Sequence, residues 1–154
     1  MVYFICTTQD FLPIPTPEVH WLSPQQDYDL ARAYWVASSS QDLAHSTWLK
    51  AHEFGYQYAA ILEASQVVSC AAIWRFCDAA WEIAAVGTLL PYRRRGLSRQ
   101  VLAFLTAYTL AANRTATCST DDTNAAMIAT AKSVGFQMIP AEKVWWQYPK
   151  LPDF

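Results

Sequence analysis

No CxxC pair occurs among Cys6, Cys70, Cys77 and Cys118, and His20, His45 and His52 do not fall at ligand spacing from them. That argues against a metal site, which needs closely spaced thiolates or imidazoles. The cysteines read as small buried hydrophobes with free thiols, not as a disulfide framework. Positive charge is not in excess either: 11 Lys and Arg stand against 13 Asp and Glu, a formal net charge of −2. The surface offers no general attraction to nucleic acid or to an anionic membrane, so any anion site has to be local. The opening MVYFICTTQDFLPIPTP has no basic n-region and meets Gln9 and Asp10 too early for a signal h-region. No apolar run approaches the ~20 residues of a membrane-spanning helix. A cytoplasmic protein without nucleic-acid or membrane partners is expected. Internal repeats, low-complexity tracts and a linker between domains are lacking as well, so residues 1–154 read as one domain.

What the chain does have is apolar content, 53% of residues against 16% charged, enough for a sizeable core. Residues 2–8 (VYFICTT) have the β-branched and aromatic character of a strand, an edge strand or an arm, before a connection through Pro13, Pro15 and Pro17. Residues 19–22 form a second short strand. Ser23-Pro24 then opens a helix, with Ser at the N-cap and Pro at N1, that carries Tyr28, Tyr34 and Trp35. Another helix runs from Gln41 past Trp48 to a stop near Gly55. Residues 56–64, 67–76 and 81–88 read as an antiparallel meander with tight links. The period then changes. Leu97, Val101, Phe104, Leu105, Tyr108 and Ala112 share one face of a helix of about 15 residues. A strand at 115–120, a helix at 124–134 stopped by Gly135, and two strands at 136–139 and 143–148 complete the chain.

Four of the seven arginines, Arg93, Arg94, Arg95 and Arg99, fall within seven residues at the turn between the strand 81–88 and the long helix. A helix N-terminus presents unpaired N–H groups and partial positive charge, which suits a phosphate, and Gly96 lets the backbone come close to it. Taken alone, the arginines fit a solvated turn equally well.

Arg93-Arg94-Arg95-Gly96-Leu97-Ser98 resembles the pyrophosphate loop, Q/R-x-x-G-x-G/A, of the GNAT N-acetyltransferases, and Val86-Gly87-Thr88-Leu89-Leu90-Pro91-Tyr92 resembles the strand that leads into it. Asn124-Ala125-Ala126-Met127, with Lys132, Gly135 and Phe136 behind it, is similar to a second block of the family. The resemblance covers residues 19–149, most clearly from Trp81 onward. It implies an α/β (α+β) GNAT fold, a mixed, mostly antiparallel sheet of about six or seven strands flanked by helices and splayed where the cofactor enters. It implies acetyl-CoA as donor and an amine, small molecule or peptide, as acceptor. The backbone of Arg94, Arg95, Gly96, Leu97 and Ser98 would hold the pyrophosphate with Arg93 beside it. The backbone of Val86, Gly87 and Thr88 would pair with the pantetheine arm, and Asn124 would touch the cofactor. Ser98 departs from the usual Gly or Ala, and its hydroxyl could add a hydrogen bond to phosphate.

Transfer to an amine needs a base for the nucleophile and support for the oxyanion. Glu82 is the candidate base, at a place where some family members carry a catalytic Glu; a solvent-facing strand Glu is the other reading. The family's usual tyrosine acid falls at Ala131, leaving Ser133, Cys118, Tyr148 or water. That gap motivates an alternative, a non-catalytic CoA-binding or regulatory module, and the Arg-Gly turn alone would also suit a nucleotide or other anion. The chain holds 22 aromatic residues, seven of them Trp. Trp145, Trp146, Tyr148, Tyr34, Trp35 and Trp48 border the region where the family binds its acceptor, which would suit an apolar or aromatic amine. A monomer or homodimer is expected.

Overall fold

Residues 66–74 are apolar almost throughout, and each one after Gln66 is buried, as expected of a strand covered on both faces. The computed structural model describes residues 1–151 and places this strand inside a seven-stranded sheet. The elements are β1 (Val2–Cys6), β2 (Val19–Trp21), α1 (Tyr28–Ser39), α2 (His45–Glu53), β3 (Tyr56–Glu63), β4 (Gln66–Trp74), β5 (Ala80–Thr88), α3 (Leu97–Ala111), β6 (Thr115–Thr120), α4 (Ala125–Val134) and β7 (Gln137–Ile139). The sheet order is β2-β3-β4-β5-β6-β1-β7, and only the β5–β6 pairing is parallel. This is the expected α/β architecture.

The two faces of β4 feed two cores. Val68, Ala71 and Ile73 pack under α3 and α4 with Phe4, Val101, Leu102, Leu105 and Phe136. Val67 and Cys70 pack under α1 and α2 with Leu22, Ala31, Leu43 and Trp48. The meander closes through Ala64 and Ser65, both at positive φ (49° and 60°), as a tight two-residue hairpin requires. α3 has the expected 15 residues, but its buried stripe is turned from the expected face: Leu97, Val101 and Leu105 are buried, Phe104 and Ala112 only partly and Tyr108 is exposed, while Leu102, Ala103 and Leu110 are buried instead. Thr106 and Thr109 join it because their hydroxyls donate to the carbonyls of Leu102 and Leu105 at 2.7 and 2.8 Å. Among the described residues no helix is long and apolar enough to cross a membrane.

Four expectations are corrected. β1 is neither an edge strand nor an arm: it lies between β6 and β7, antiparallel to both, because Phe4 and Cys6 are fully buried there. Residues 143–148 form no strand; after Pro140, which has no N–H to give a ladder, the chain makes a short 3-10 turn at Ala141–Lys143 and leaves the sheet, which ends at β7. Ser23-Pro24 does not start α1. It opens a turn in which the Ser23 N–H donates to Asp27 Oδ2 at 2.6 Å and Ser23 Oγ accepts from Gln26 N–H, and the helix begins at Tyr28. α2 begins at His45, not Gln41, because residues 42 and 43 serve α1: Asp42 pairs with Arg32 and the Leu43 carbonyl accepts from the Tyr28 hydroxyl.

Candidate functional site

β5 and β6 pair only through Ala80–Thr115, Trp81–Ala116 and Glu82–Thr117, so from Ile83 to Thr88 that edge of β5 has no strand partner among the described residues. The divergence has a local cause. Ala84 faces Ala72 and Gly87 faces Cys70, so Ala85 and Val86 together oppose Ala71 in a bulge that bends β5. Ala85 sits there at φ 53°, a left-handed conformation that costs a residue with a Cβ about 1–2 kcal/mol. Strain of that kind gathers at functional sites.

Below the bulge a hydroxyl chain fixes the end of β5. Ser69 Oγ donates to the Gly87 carbonyl at 2.9 Å and lies 3.0 Å from Thr88 Oγ1, which lies 2.7 Å from Ser98 Oγ. Each hydroxyl has one proton. Ser69 gives its proton to Gly87, so Thr88 donates to Ser69 and Ser98 donates to Thr88. The Ser98 hydroxyl is thus engaged inside the protein, with its proton directed at Thr88.

Beyond Thr88 a 3-10 turn (Leu90–Tyr92) leads into the arginines. Arg94 and Gly96 both have left-handed backbone, φ 63° and 74°, and α3 follows without a side-chain cap. No acceptor among the described residues takes the N–H groups of residues 94–99. Such a turn at a helix N-terminus forms an anion-binding concavity. The arginines divide by role. Arg93 Nε donates to the Thr88 carbonyl at 2.9 Å, and Arg95 pairs with Glu63, its Nη1 at 3.1 Å from Oε2. Arg94 and Arg99 are exposed and have no partner among the described residues. Asn124 acts as the cap of α4: its Oδ1 accepts from Met127 N–H and its Nδ2 donates to Thr120 Oγ1, both at 3.1 Å.

Glu82 projects from the face of β5 that α1 and α2 cover, in a cross-strand row with Trp74 and Tyr56. The residues after β7 reach over it. The Tyr148 hydroxyl donates to Glu82 Oε1 at 2.7 Å and accepts from the Trp146 indole N–H at 2.7 Å, and Ser119 Oγ lies 3.4 Å from the same carboxylate oxygen. The Tyr148 ring stacks on Trp74, 5.7 Å between centroids at 9°. Burial pushes the Glu82 carboxyl above the usual carboxylate range, while the hydrogen bonds from Tyr148 and Ser119 pull it back. Of the other candidate acids, Ser133 donates to the Thr130 carbonyl, Cys118 is core and burial pushes its thiol up, and Ala131 is fully buried.

Beside Glu82 on the same face lies a cavity of about 660 Å³ between α1, α2 and the sheet. Tyr34, Trp35 and Trp48 wall it from the helices, Tyr56 and Tyr58 from β3, and Ala84 to Gly87 form its floor. A Cβ on Gly87 would meet the Tyr34 hydroxyl at 3.0 Å, so glycine is what lets Tyr34 reach the bulge. The cavity thus touches Val86 and Gly87, expected on the donor side, but Glu82 and Tyr148 do not line it, and Trp145 is 53% exposed. Sequence reasoning missed Ser69, Ala85 and Ser119. The run of small residues Ala84-Ala85-Val86-Gly87 inside a strand was the one local sign of a bulge.

The family model described as acetyltransferase (GNAT) family matches residues 17–136. No curated protein matches the sequence. Among solved structures, the chain resembles a candidate GNAT-family acetyltransferase from Novosphingobium aromaticivorans, with TM-score 0.73, 21% identity, and 90% of this chain and 59% of that one covered. It also resembles AAC(6')-Iy in complex with the bisubstrate analog CoA-S-monomethyl-acetylneamine, with TM-score 0.63, 13% identity, and 86% and 97% covered. A third is the ribosomal-protein-S18-alanine N-acetyltransferase from Escherichia coli, with TM-score 0.64, 18% identity, and 77% and 76% covered. Several matched structures are longer chains, of which this one spans between 48% and 59%. At these identities the likeness establishes the fold.

Proposed function

The chain belongs to the acetyltransferase (GNAT) family, and from that premise we propose that it moves an acetyl group from acetyl-CoA to an amine by direct attack, with residues 86–98 holding the donor. The observation that carries the reading is the joining of two features at one place: the β5 edge open past Glu82, and at its end the N–H groups of residues 94–99, neither with a partner among the described residues. A pyrophosphate needs several donors and positive charge, and an amide-bearing pantetheine arm needs a strand edge; the cleft supplies both.

In this reading the backbone of Arg94, Arg95, Gly96, Leu97 and Ser98 binds the diphosphate, and Arg94 and Arg99 add charge. Arg93 holds the turn in shape through the Thr88 carbonyl, and Arg95 is spent on an exposed pair with Glu63 that contributes little. Val86, Gly87 and Thr88 align the arm with their backbone, and Asn124, besides capping α4, keeps a second amide hydrogen for the cofactor. Acetyl-CoA supplies the activated thioester. Glu82 takes the amine proton, directly or through water, its carboxyl lifted by burial toward a useful range. None of Ser133, Cys118 and Ala131 is placed to protonate the leaving thiolate, so that proton comes from water or from Tyr148. The cap of Tyr148 over Glu82, and Ala131 at the usual tyrosine position, favour the second reading, a CoA-binding module without catalysis.

One experiment separates them. CoA affinity is measured by calorimetry, and thiol release from acetyl-CoA is followed with a panel of amines. Glu82→Gln should lower kcat by at least ~10²-fold while CoA affinity holds, and the rise of activity with pH should vanish with the carboxylate. CoA binding with no amine-dependent thiol release would leave the module reading; no CoA binding would remove both.

A further inference from the structure

The cavity under α1 and α2 has two properties that together describe its occupant. None of the residues lining it is charged: its surface is Leu, Ala, Val, Trp and Tyr with Ser38, Ser39, Thr47 and Cys70. And three of its phenols have idle hydroxyls. The hydroxyls of Tyr34, Tyr56 and Tyr58, the three tyrosines that line the cavity, have no hydrogen-bond partner among the described residues, whereas those of Tyr28, Tyr108 and Tyr148 are bonded within the protein. Burial raises all three phenols, so they remain neutral and can both donate and accept.

Resting on the reading above, we propose that the acceptor is a monocationic amine on a compact aromatic body that bears a neutral polar group, an arylalkylamine, and that polyamines, polycationic sugars and peptide chains are excluded. At about 660 Å³ the cavity is the size of small-ligand sites. An aromatic body buries its apolar area against Trp35, Trp48 and the alanine floor, and the idle phenols satisfy its polar group. One positive charge is tolerated at the Tyr56 end, because Tyr56 lies in the same cross-strand row as Glu82. A second charge deeper in would meet no counterion in a site without a charged wall, where desolvation costs more than water-exposed pairing returns. The other apolar occupant of such a cavity is a long acyl chain on the donor. It would leave all three hydroxyls unpaired, which disfavours it.

Direct binding tests this apart from catalysis. With CoA saturating, tyramine, 2-phenylethylamine, spermidine, kanamycin and a lysine-bearing tripeptide are titrated against the protein's tryptophan fluorescence, since Trp35 and Trp48 line the cavity. Tyramine should bind at least tenfold tighter than spermidine, kanamycin or the tripeptide, and tighter than 2-phenylethylamine. Tyr58→Phe, which keeps ring and shape, should weaken tyramine about three- to tenfold, narrow its lead over 2-phenylethylamine, and leave CoA affinity alone. Spermidine, kanamycin or peptide binding as tightly as tyramine would overturn the proposal, as would no amine binding at all. So would octanoyl-CoA that binds better than acetyl-CoA and displaces tyramine, for the cavity would then belong to the acyl chain. Arylalkylamine binding without thiol release would uphold the site and sink only the catalytic reading.

Discussion

Tyr148→Phe removes one oxygen from the segment that lies over Glu82, and its consequence can be worked out. The lost bond is a 2.7 Å hydrogen bond to a carboxylate. Such charge-assisted bonds contribute about 1.5–3 kcal/mol. Tyr148 is 39% exposed, so water replaces part of the interaction and the low end applies, about 1.5 kcal/mol. That equals roughly a tenfold change in the proton affinity of the carboxyl. The sign follows from the causes. Burial already raises Glu82 and Tyr148 opposes burial, so the variant's carboxyl should titrate at higher pH than the wild type's. Carbon-13 NMR of the glutamate carboxyls reads this directly, with Glu82→Gln identifying the resonance. Linkage gives a second reading. A carboxyl whose folded titration lies above its unfolded one favours the folded state below the unfolded pKa, and that stability is lost as pH rises through the folded titration. Tyr148→Phe should therefore steepen the decline of Tm from the ordinary carboxylate range upward while leaving the acid side nearly alone. An unchanged Glu82 titration would mean that the Trp146–Tyr148 segment does not rest on Glu82 in solution.

Three other outcomes are expected. Gly135→Ala should lower stability by about 3 kcal/mol, from left-handed strain and from a Cβ built 2.1 Å from the Asp10 carbonyl, next to the Leu12 N–H to Val134 bond; Gly96→Ala, at φ 74° with nothing within 4 Å, should cost only the strain, about 1–2 kcal/mol, as thermal unfolding would show. Arg94→Ala and Arg99→Ala should each weaken CoA by several-fold, less so as salt rises, whereas Arg95→Ala, already paired to Glu63, should change it less than twofold by calorimetry. Ser98→Ala should leave CoA affinity within about threefold and reduce Tm slightly, because its proton goes to Thr88 and not outward; a tenfold loss of affinity would refute that accounting.

Much of the fold was legible because its signals are local. The meander of β3, β4 and β5, the 15-residue α3 and the Gly135 stop of α4 each follow from periodicity or a turn residue within a short window. The helix starts were less legible, for Ser23 is a good cap residue in isolation and no local signal at Gln41 marks where the second helix begins. What moved the boundaries was contact with the other helix, Arg32 with Asp42 and Tyr28 with Leu43, about which the local sequence says nothing. The loop proposed for the donor was legible as a motif, yet the contacts of its residues were not. Arg93, Arg95, Ser98 and Asn124 all engage partners within the protein, and those partners, Thr88, Glu63 and Thr120, declare themselves only once the sheet is assembled.

The terminal strands show how far such a non-local choice reaches. Residues 2–6 and 143–148 both carry apolar and aromatic side chains, yet only the first becomes a strand among the described residues. Burial separates them. Between β6 and β7, β1 places Phe4 and Cys6 in the core, both fully buried, and pairs with β6 along five residues as well as with β7. Residues 143–148 could meet the sheet only at the outer edge of β7, along one ladder and beyond that core. Outside the sheet, the last segment leaves Trp145 in solvent, buries Trp146, and lays Tyr148 across Trp74 onto Glu82. It thereby sets the environment of a carboxylate 66 residues from Tyr148 in sequence. Had residues 143–148 taken the strand position, strand alternation and hydrogen bonding to a neighbour would have fixed Tyr148 in the sheet, and Glu82 would face the cavity with only Ser119 beside it.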